Sequence, residues 1–364
     1  MDDRIASPLA AAAPQHGGLL DDELVALGLS ADQILDVSVN VNPYGPCPTM
    51  RRAIAEAAIE RYPDPTSSRA RQAIAALSGV PRERVVLGNG AVDLLWTLAR
   101  AWLRPGDAAM IVEPAFSELG RAATQMGARI ASHRVSPHDD FALHLGALDA
   151  HLRSVRPRLL YLCTPSNPAG VCVPLQGIEE LAERHPDTLI VCDLSFLSLS
   201  RDHDTIPRSP RVAWIVSLTK DHALAGLRVG YAIAPAPVAA RLESERPPWS
   251  VNALAQAAAI AATEPEARRF VDESRERLLR DRASLEHALR RLDLRFHPSE
   301  TIFVLVDLGP ARKAGELRRR LLERHAVLVR DATSFGLPHH VRLAARPEAD
   351  VERLFLALNR ELYL

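Results

Sequence analysis

Lysine is nearly absent from this chain. Of its 44 Lys and Arg residues only Lys220 and Lys313 are lysine. Where surface positive charge is written as arginine, each lysine needs a reason. Lys313 lies in the charged stretch 311–316 and reads as surface charge. Lys220 follows the apolar run 212–217 and precedes the glycine-punctuated run 223–231. Lysine carries a primary amine that can lose its proton and attack a carbonyl, which arginine does not. Lys220 therefore points to Schiff-base chemistry.

Other shortages exclude whole classes of function. A net charge of -1 offers nothing to a nucleic acid or a membrane surface. The arginines at 318–320 and 324 alternate with Leu321, Leu322 and Glu323, as on a solvated amphipathic helix. The four cysteines, Cys47, Cys163, Cys172 and Cys192, form no CxxC pair. They read as reduced residues of a cytoplasmic protein rather than metal ligands or disulfides. Asp202-His203-Asp204 and His339-His340 sit in turn-like segments without companions, so no metal site is expected. The alanine-rich start lacks the basic region and long apolar core of a signal peptide. The longest apolar stretch, 253–262, is too short to span a bilayer. Neither GxGxxG nor a P-loop is present, which argues against a nucleotide-dependent enzyme.

At 364 residues the chain has room for a large and a small lobe. Continuous apolar runs at 159–163, 189–192, 212–216 and 229–233 suit strands buried on both faces of a mainly parallel sheet. Further strands are expected at 85–87, 108–112 and 128–135, and helices at 51–61, 68–77, 92–103 and 117–126. After Arg246-Pro247-Pro248-Trp249 the pattern changes. A long helix over 265–292 is followed by strands at 302–306, 326–329 and 341–344. Helices at 315–324 and 348–361 complete a smaller α+β lobe. This is an α/β chain, with a large domain over 39–246 and a small domain from 1–38 and 247–364.

Several strand ends carry chemistry. Gly88-Asn89-Gly90-Ala91 lies between a strand and a helix, where free N–H groups favour a phosphate, though a plain tight turn is equally natural. Asp193 ends an apolar strand, where a carboxylate could hold a cationic ring nitrogen protonated or could cap the next helix. Asn167, in the run 164–170, could donate to a phenolic oxygen or simply form an Asn-Pro turn. Ser217, Thr219 and Arg228 flank Lys220 with two hydroxyls and a guanidinium, a set that suits a phosphate.

Taken in order, the glycine loop, Phe116, Ser166-Asn167-Pro168, Asp193, Ser217-x-x-Lys220 and Arg228 resemble the pyridoxal-phosphate enzymes of the class I/II aminotransferase family over nearly the whole chain. The resemblance implies fold type I: a large domain with a mostly parallel seven-stranded sheet, a small α+β domain, and a homodimer with shared active sites acting on a small molecule. It implies pyridoxal 5′-phosphate bound covalently to Lys220, with Asp193 on the ring nitrogen, Asn167 on the ring hydroxyl and Phe116 stacked on the ring. Gly90, Ala91, Ser217, Thr219 and Arg228 would hold the phosphate, joined by Tyr62 from a neighbouring subunit. Arg342 would grip a substrate carboxylate, with Arg330 or Arg346 helping a second anionic group.

Within the family the chain resembles threonine-phosphate decarboxylases of cobalamin synthesis, and beside them histidinol-phosphate aminotransferases. His16-Gly17-Gly18, the run 36–43 with Asn42, the run 248–256, and Phe196 in place of a tyrosine lean to the decarboxylase. His16, Gly17, Asn42, Arg330 and Arg342 are the substrate-binding residues expected on this reading. Leu194 stands where the family usually has an acid, which would take a charge from the vicinity of the site.

Overall fold

The computed structural model describes residues 16–201, 206 and 209–363. Asp202, His203 and Asp204 lie outside the described residues. The strands are β1 (Leu35–Asp36), β2 (Val85–Gly88), β3 (Ala108–Glu113), β4 (Arg129–Arg134), β5 (Leu159–Cys163), β6 (Leu189–Asp193), β7 (Val212–Ser217), β8 (Gly230–Ile233), β9 (Arg295–Phe296), β10 (Phe303–Asp307), β11 (Val327–Leu328), β12 (Arg330–Asp331) and β13 (His340–Ala344). Seven of them form one sheet in the order β2-β8-β7-β6-β5-β3-β4. Only β8 runs antiparallel to its neighbours. The expected mostly parallel seven-stranded sheet is therefore present.

The apolar runs give this sheet because both its faces are covered. One cluster, including Leu160, Ile190, Trp214 and Ile233, packs on one face, and a second, including Ile111, Tyr161, Val191 and Ile215, on the other. The alternation within β5 and β6 sends successive side chains to opposite clusters. The small domain is built on the antiparallel sheet β12-β13-β10-β9, backed by the helices Pro265–Arg291 and Glu348–Tyr363. The strand expected at 326–329 is β11, which pairs with β1; a further short strand, β12, follows it and pairs with β13. The helix Ala253–Ala261 packs with the helices Pro48–Ala55 and Ser68–Ser78 beneath the large sheet, its alanines allowing close approach.

One helix is shorter than expected. It stops at Ala55 instead of running to 61, and Ile59 is left in solvent. Pro63 disfavours helical backbone just before it. Asp64 then organises the following turn, accepting hydrogen bonds from the backbone N–H groups of Thr66 (2.9 Å) and Ser68 (2.7 Å).

Candidate active site

The carboxyl ends of β5, β6 and β7 open into a cavity of about 190 Å³, bounded on the far side by β12 and β13 of the small domain. It is lined by Ala91, Phe116, Asn167, Asp193, Ser217, Thr219, Lys220 and Arg228 from the large-domain part, by Arg330 and Arg342, and by His16 and Gly17. Twelve positions scattered from 16 to 342 thus converge where an open α/β sheet places its ligands.

Lys220 occupies the short helix Leu218–Asp221 directly after β7, capped by Ser217. Burial, followed by the charges of Arg228 and Arg342, lowers its amine from 10.5 to about 8. A lysine so placed is still mostly protonated at neutral pH, but its neutral fraction is far larger than that of an ordinary lysine. Asp193 faces it from the end of β6. Burial raises this carboxyl, while hydrogen bonds from Ser195 and Tyr161 and the charge on Lys220 work against that shift. Its Oδ1 accepts from the Ser195 N–H at 2.9 Å and its Oδ2 from the Tyr161 hydroxyl at 3.1 Å.

An anion cradle lies beside these two residues. The helix Ala91–Trp102 starts at Gly90, φ 82°, with no side-chain cap, so its first N–H groups face the cavity. A Cβ on Gly90 would lie 2.6 Å from Arg228 Nη2, so glycine is what lets the guanidinium reach the helix start. The hydroxyls of Ser217 and Thr219 sit 2.7 Å apart on the same wall.

The opposite wall is cationic. Arg342 and Arg330 are paired across β12 and β13. Arg342 donates through Nη1 to Asn167 Oδ1 and through Nη2 to the Ser38 carbonyl at 2.7 Å. Burial, then the charge of Arg330, lowers Arg342 to about 9. Its Nε has no protein partner. By occupying Asn167 Oδ1, Arg342 fixes the amide with its NH₂ as the free side. Arg330 donates to Ser334 Oγ at 2.7 Å and lies over the Phe335 ring. His16 rests against the Phe116 ring, with Nε2 3.1 Å from Glu118 Oε1. Gly17 lies so close to the Ser38 carbonyl that a Cβ would be 2.6 Å from it.

Three expectations change. Asn42 does not line the cavity. Its Nδ2 donates to the Asp221 carbonyl at 2.8 Å, and its own N–H to the Lys220 carbonyl at 2.9 Å. It braces the main chain carrying Lys220, while Asn40, two residues earlier, faces the cavity. Both polar atoms of the Asn40 amide are buried without a partner. Leu194 points away, into the core beneath the sheet, because side chains alternate past Asp193. It removes no charge from the cavity. Arg346 is buried and donates to the carbonyls of Asp36 (2.6 Å) and Val39 (3.0 Å), so it holds backbone rather than ligand. Tyr62, expected to serve a neighbouring subunit's site, lies outside this chain's own cavity, 79% exposed and stacked on Trp249.

Sequence reasoning passed over Asn40, Ser38, Ser195, Tyr161 and Cys163. Only Asn40 and Ser38 left a signal, as polar residues alternating with valines in the run 36–43. Among the described residues no group of three or more His, Cys, Asp or Glu is arranged to hold a metal, and no helix is long and apolar enough to cross a membrane.

Comparison with known proteins agrees with this geometry. The family model described as aminotransferase class I and II matches residues 32–358, and the chain belongs to that family. The chain is 36% identical over 327 residues to histidinol-phosphate aminotransferase 2 of Ralstonia nicotianae, covering 87% of this chain and 86% of the relative. It is 35% identical over 362 residues to threonine-phosphate decarboxylase of Salmonella typhimurium, covering 95% and 96%. The crystal structure of histidinol-phosphate aminotransferase from Sinorhizobium meliloti in complex with pyridoxal-5′-phosphate has the same fold. It superposes with a TM-score of 0.86 at 24% identity, covering 100% of this chain and 98% of that one. The cofactor of the family is pyridoxal 5′-phosphate. The residues present fit it: a depressed lysine, a buried carboxylate facing it, an aromatic wall, and a phosphate cradle that a Cβ on Gly90 would fill.

Proposed function

We propose that the protein is a pyridoxal-phosphate-dependent lyase that removes CO₂ from L-threonine O-3-phosphate, giving aminopropanol phosphate, as in cobalamin synthesis. The observation that carries this reading is that His16 and Gly17 share one cavity with Arg330, Arg342 and Lys220. A substrate with both a carboxylate and a phosphate would find donors at two separated points. Arg342 would take the carboxylate, and Arg330, His16 and the Gly17 N–H the phosphate. The unpartnered amide of Asn40 lines the same cavity and offers both a donor and an acceptor.

On this reading Lys220 attaches the cofactor, Asp193 meets its ring nitrogen, Asn167 donates to its ring hydroxyl and Phe116 stacks on its ring. Gly90, Ala91, Ser217, Thr219 and Arg228 hold its phosphate, and Tyr62 reaches the neighbouring site of a cytoplasmic homodimer. Bound there, the cofactor supplies an electron sink for the pair left at Cα when a bond breaks. The chain's own residues would choose the bond: Arg342 holding the carboxylate and Arg330, His16 and Gly17 the phosphate would fix the orientation of the substrate at Cα. Lys220, titrating near 8, then has a proton to deliver at Cα. The domain division, 39–246 against 1–38 and 247–364, belongs to this reading, with 253–261 packed under the large sheet.

A second reading is amino transfer with 2-oxoglutarate and glutamate, favoured by the 36% identity to a histidinol-phosphate aminotransferase. One experiment separates the two. The purified holoenzyme is expected to release CO₂ from L-threonine O-3-phosphate with no keto-acid acceptor. Consumption of 2-oxoglutarate with histidinol phosphate, and no CO₂, would replace the lyase reading with the aminotransferase one.

A further inference from the structure

Tyr161 lies on the buried strand β5, wholly excluded from solvent, in a position where an aromatic ordinarily serves only as core. Its hydroxyl does more than fill space. It accepts a hydrogen bond from the Cys163 thiol at 3.2 Å and donates to Asp193 Oδ2 at 3.1 Å. Side chains two apart on a strand share a face, so Tyr161 and Cys163 stand side by side. The parallel register sets Cys163 opposite Asp193, which brings the carboxylate alongside the pair. Tyrosine has one hydroxyl proton. With the thiol donating to the oxygen, that proton is directed to Asp193. Burial holds both the Tyr161 hydroxyl and the Cys163 thiol well above their ordinary values, so neither competes as an anion.

We propose that Tyr161 is a positioning residue for Asp193: its hydroxyl, oriented by Cys163, holds the carboxylate ionised and aimed into the cavity. Asp193 is buried, and an ionised carboxylate there is sustained by the nearby charge of Lys220 and by hydrogen-bond donors. Ser195 supplies one, on Oδ1. Tyr161 supplies the other, on Oδ2, from the side away from solvent. The inference rests on the reading that Asp193 meets the cofactor ring.

The test uses Tyr161→Phe, which keeps the buried ring and removes only the hydroxyl. Cofactor affinity of the resolved apoprotein is measured by absorbance titration from pH 5.5 to 8.5, in the wild type, Tyr161→Phe, Asp193→Ala and the double variant. Tyr161→Phe is expected to weaken cofactor binding on the order of tenfold, the size of a lost hydrogen bond to a charged group. It should also move the acid limb of the binding profile to higher pH, because a carboxylate with one donor fewer protonates sooner. In the Asp193→Ala background the same substitution should change neither. Unchanged affinity and acid limb in Tyr161→Phe, or an equal loss in the Asp193→Ala background, overturns the positioning role. If Asp193→Ala itself binds cofactor like the wild type, the role of Asp193 falls, and this inference with it.

Discussion

Replacing Lys220 by methionine should stabilise the cofactor-free protein at neutral pH. Methionine keeps the length and apolar stem of the side chain and removes the ammonium group. In the folded protein the amine titrates near 8 instead of 10.5. Below pH 8 it is protonated in both folded and unfolded chains, so the penalty of holding the charge stands in full. Between about 8 and 10.5 the folded amine has released its proton and the unfolded one has not, so stability rises with pH. Above 10.5 both are neutral and the penalty is gone. The displacement corresponds to at most ~3 kcal/mol, and water entering the cavity reduces it. Lys220→Met should therefore exceed the wild type by about 1–3 kcal/mol at pH 7, with the gap closing toward pH 10.5. Urea unfolding of both apoproteins at several pH values between 7 and 10 measures this, and titrating groups that do not interact with Lys220 cancel in the difference. A gap absent at pH 7, or one that fails to narrow as pH rises, would refute the reasoning.

Three further outcomes follow from the same geometry. Borohydride reduction of the holoenzyme and peptide mapping should place the label on Lys220; a label on Lys313 would move the covalent site. Arg342→Ala should raise KM for a carboxylate substrate on the order of a hundredfold while the cofactor absorbance remains, since it removes a charged donor pair; an unchanged KM would remove Arg342 from substrate binding. Gly90→Ala should weaken cofactor binding at least tenfold, because the new methyl meets Arg228 and the backbone is in the left-handed region; wild-type cofactor affinity would mean that the cradle is not formed by that approach.

The fold was legible where burial was two-sided. The runs at 159–163, 189–192, 212–216 and 229–233 became β5, β6, β7 and β8 to within a residue. Strands covered on both faces must be apolar throughout, and few other elements look like that. The helix expected to reach 61 stopped at Ala55: Ile59 finds no core to pack against, and Pro63 disfavours helical backbone just before it. The short strand β12, next along the chain from β11, was hidden because it is held by its register with β13, which no local pattern encodes.

The site divides in the same way. Lys220 stood out by scarcity, and Asp193 by a charge closing an apolar strand; both are properties of a single stretch of chain. Choosing Asn42 over Asn40 was beyond the sequence, since both sit in one run and only the packing of 36–43 against Arg342 and Lys220 tells which amide faces the cavity. Leu194 looked like a lost acid until the alternation past β6 turned it into the core. Tyr161 in an apolar strand is indistinguishable from a packing residue until register is known. The sequence by itself determined the class of fold and the reactive amine, because hydrophobic pattern and residue chemistry are local. The tertiary structure decided which polar groups share the cavity, because hydrogen bonds between residues far apart in the chain depend on strand register and domain packing.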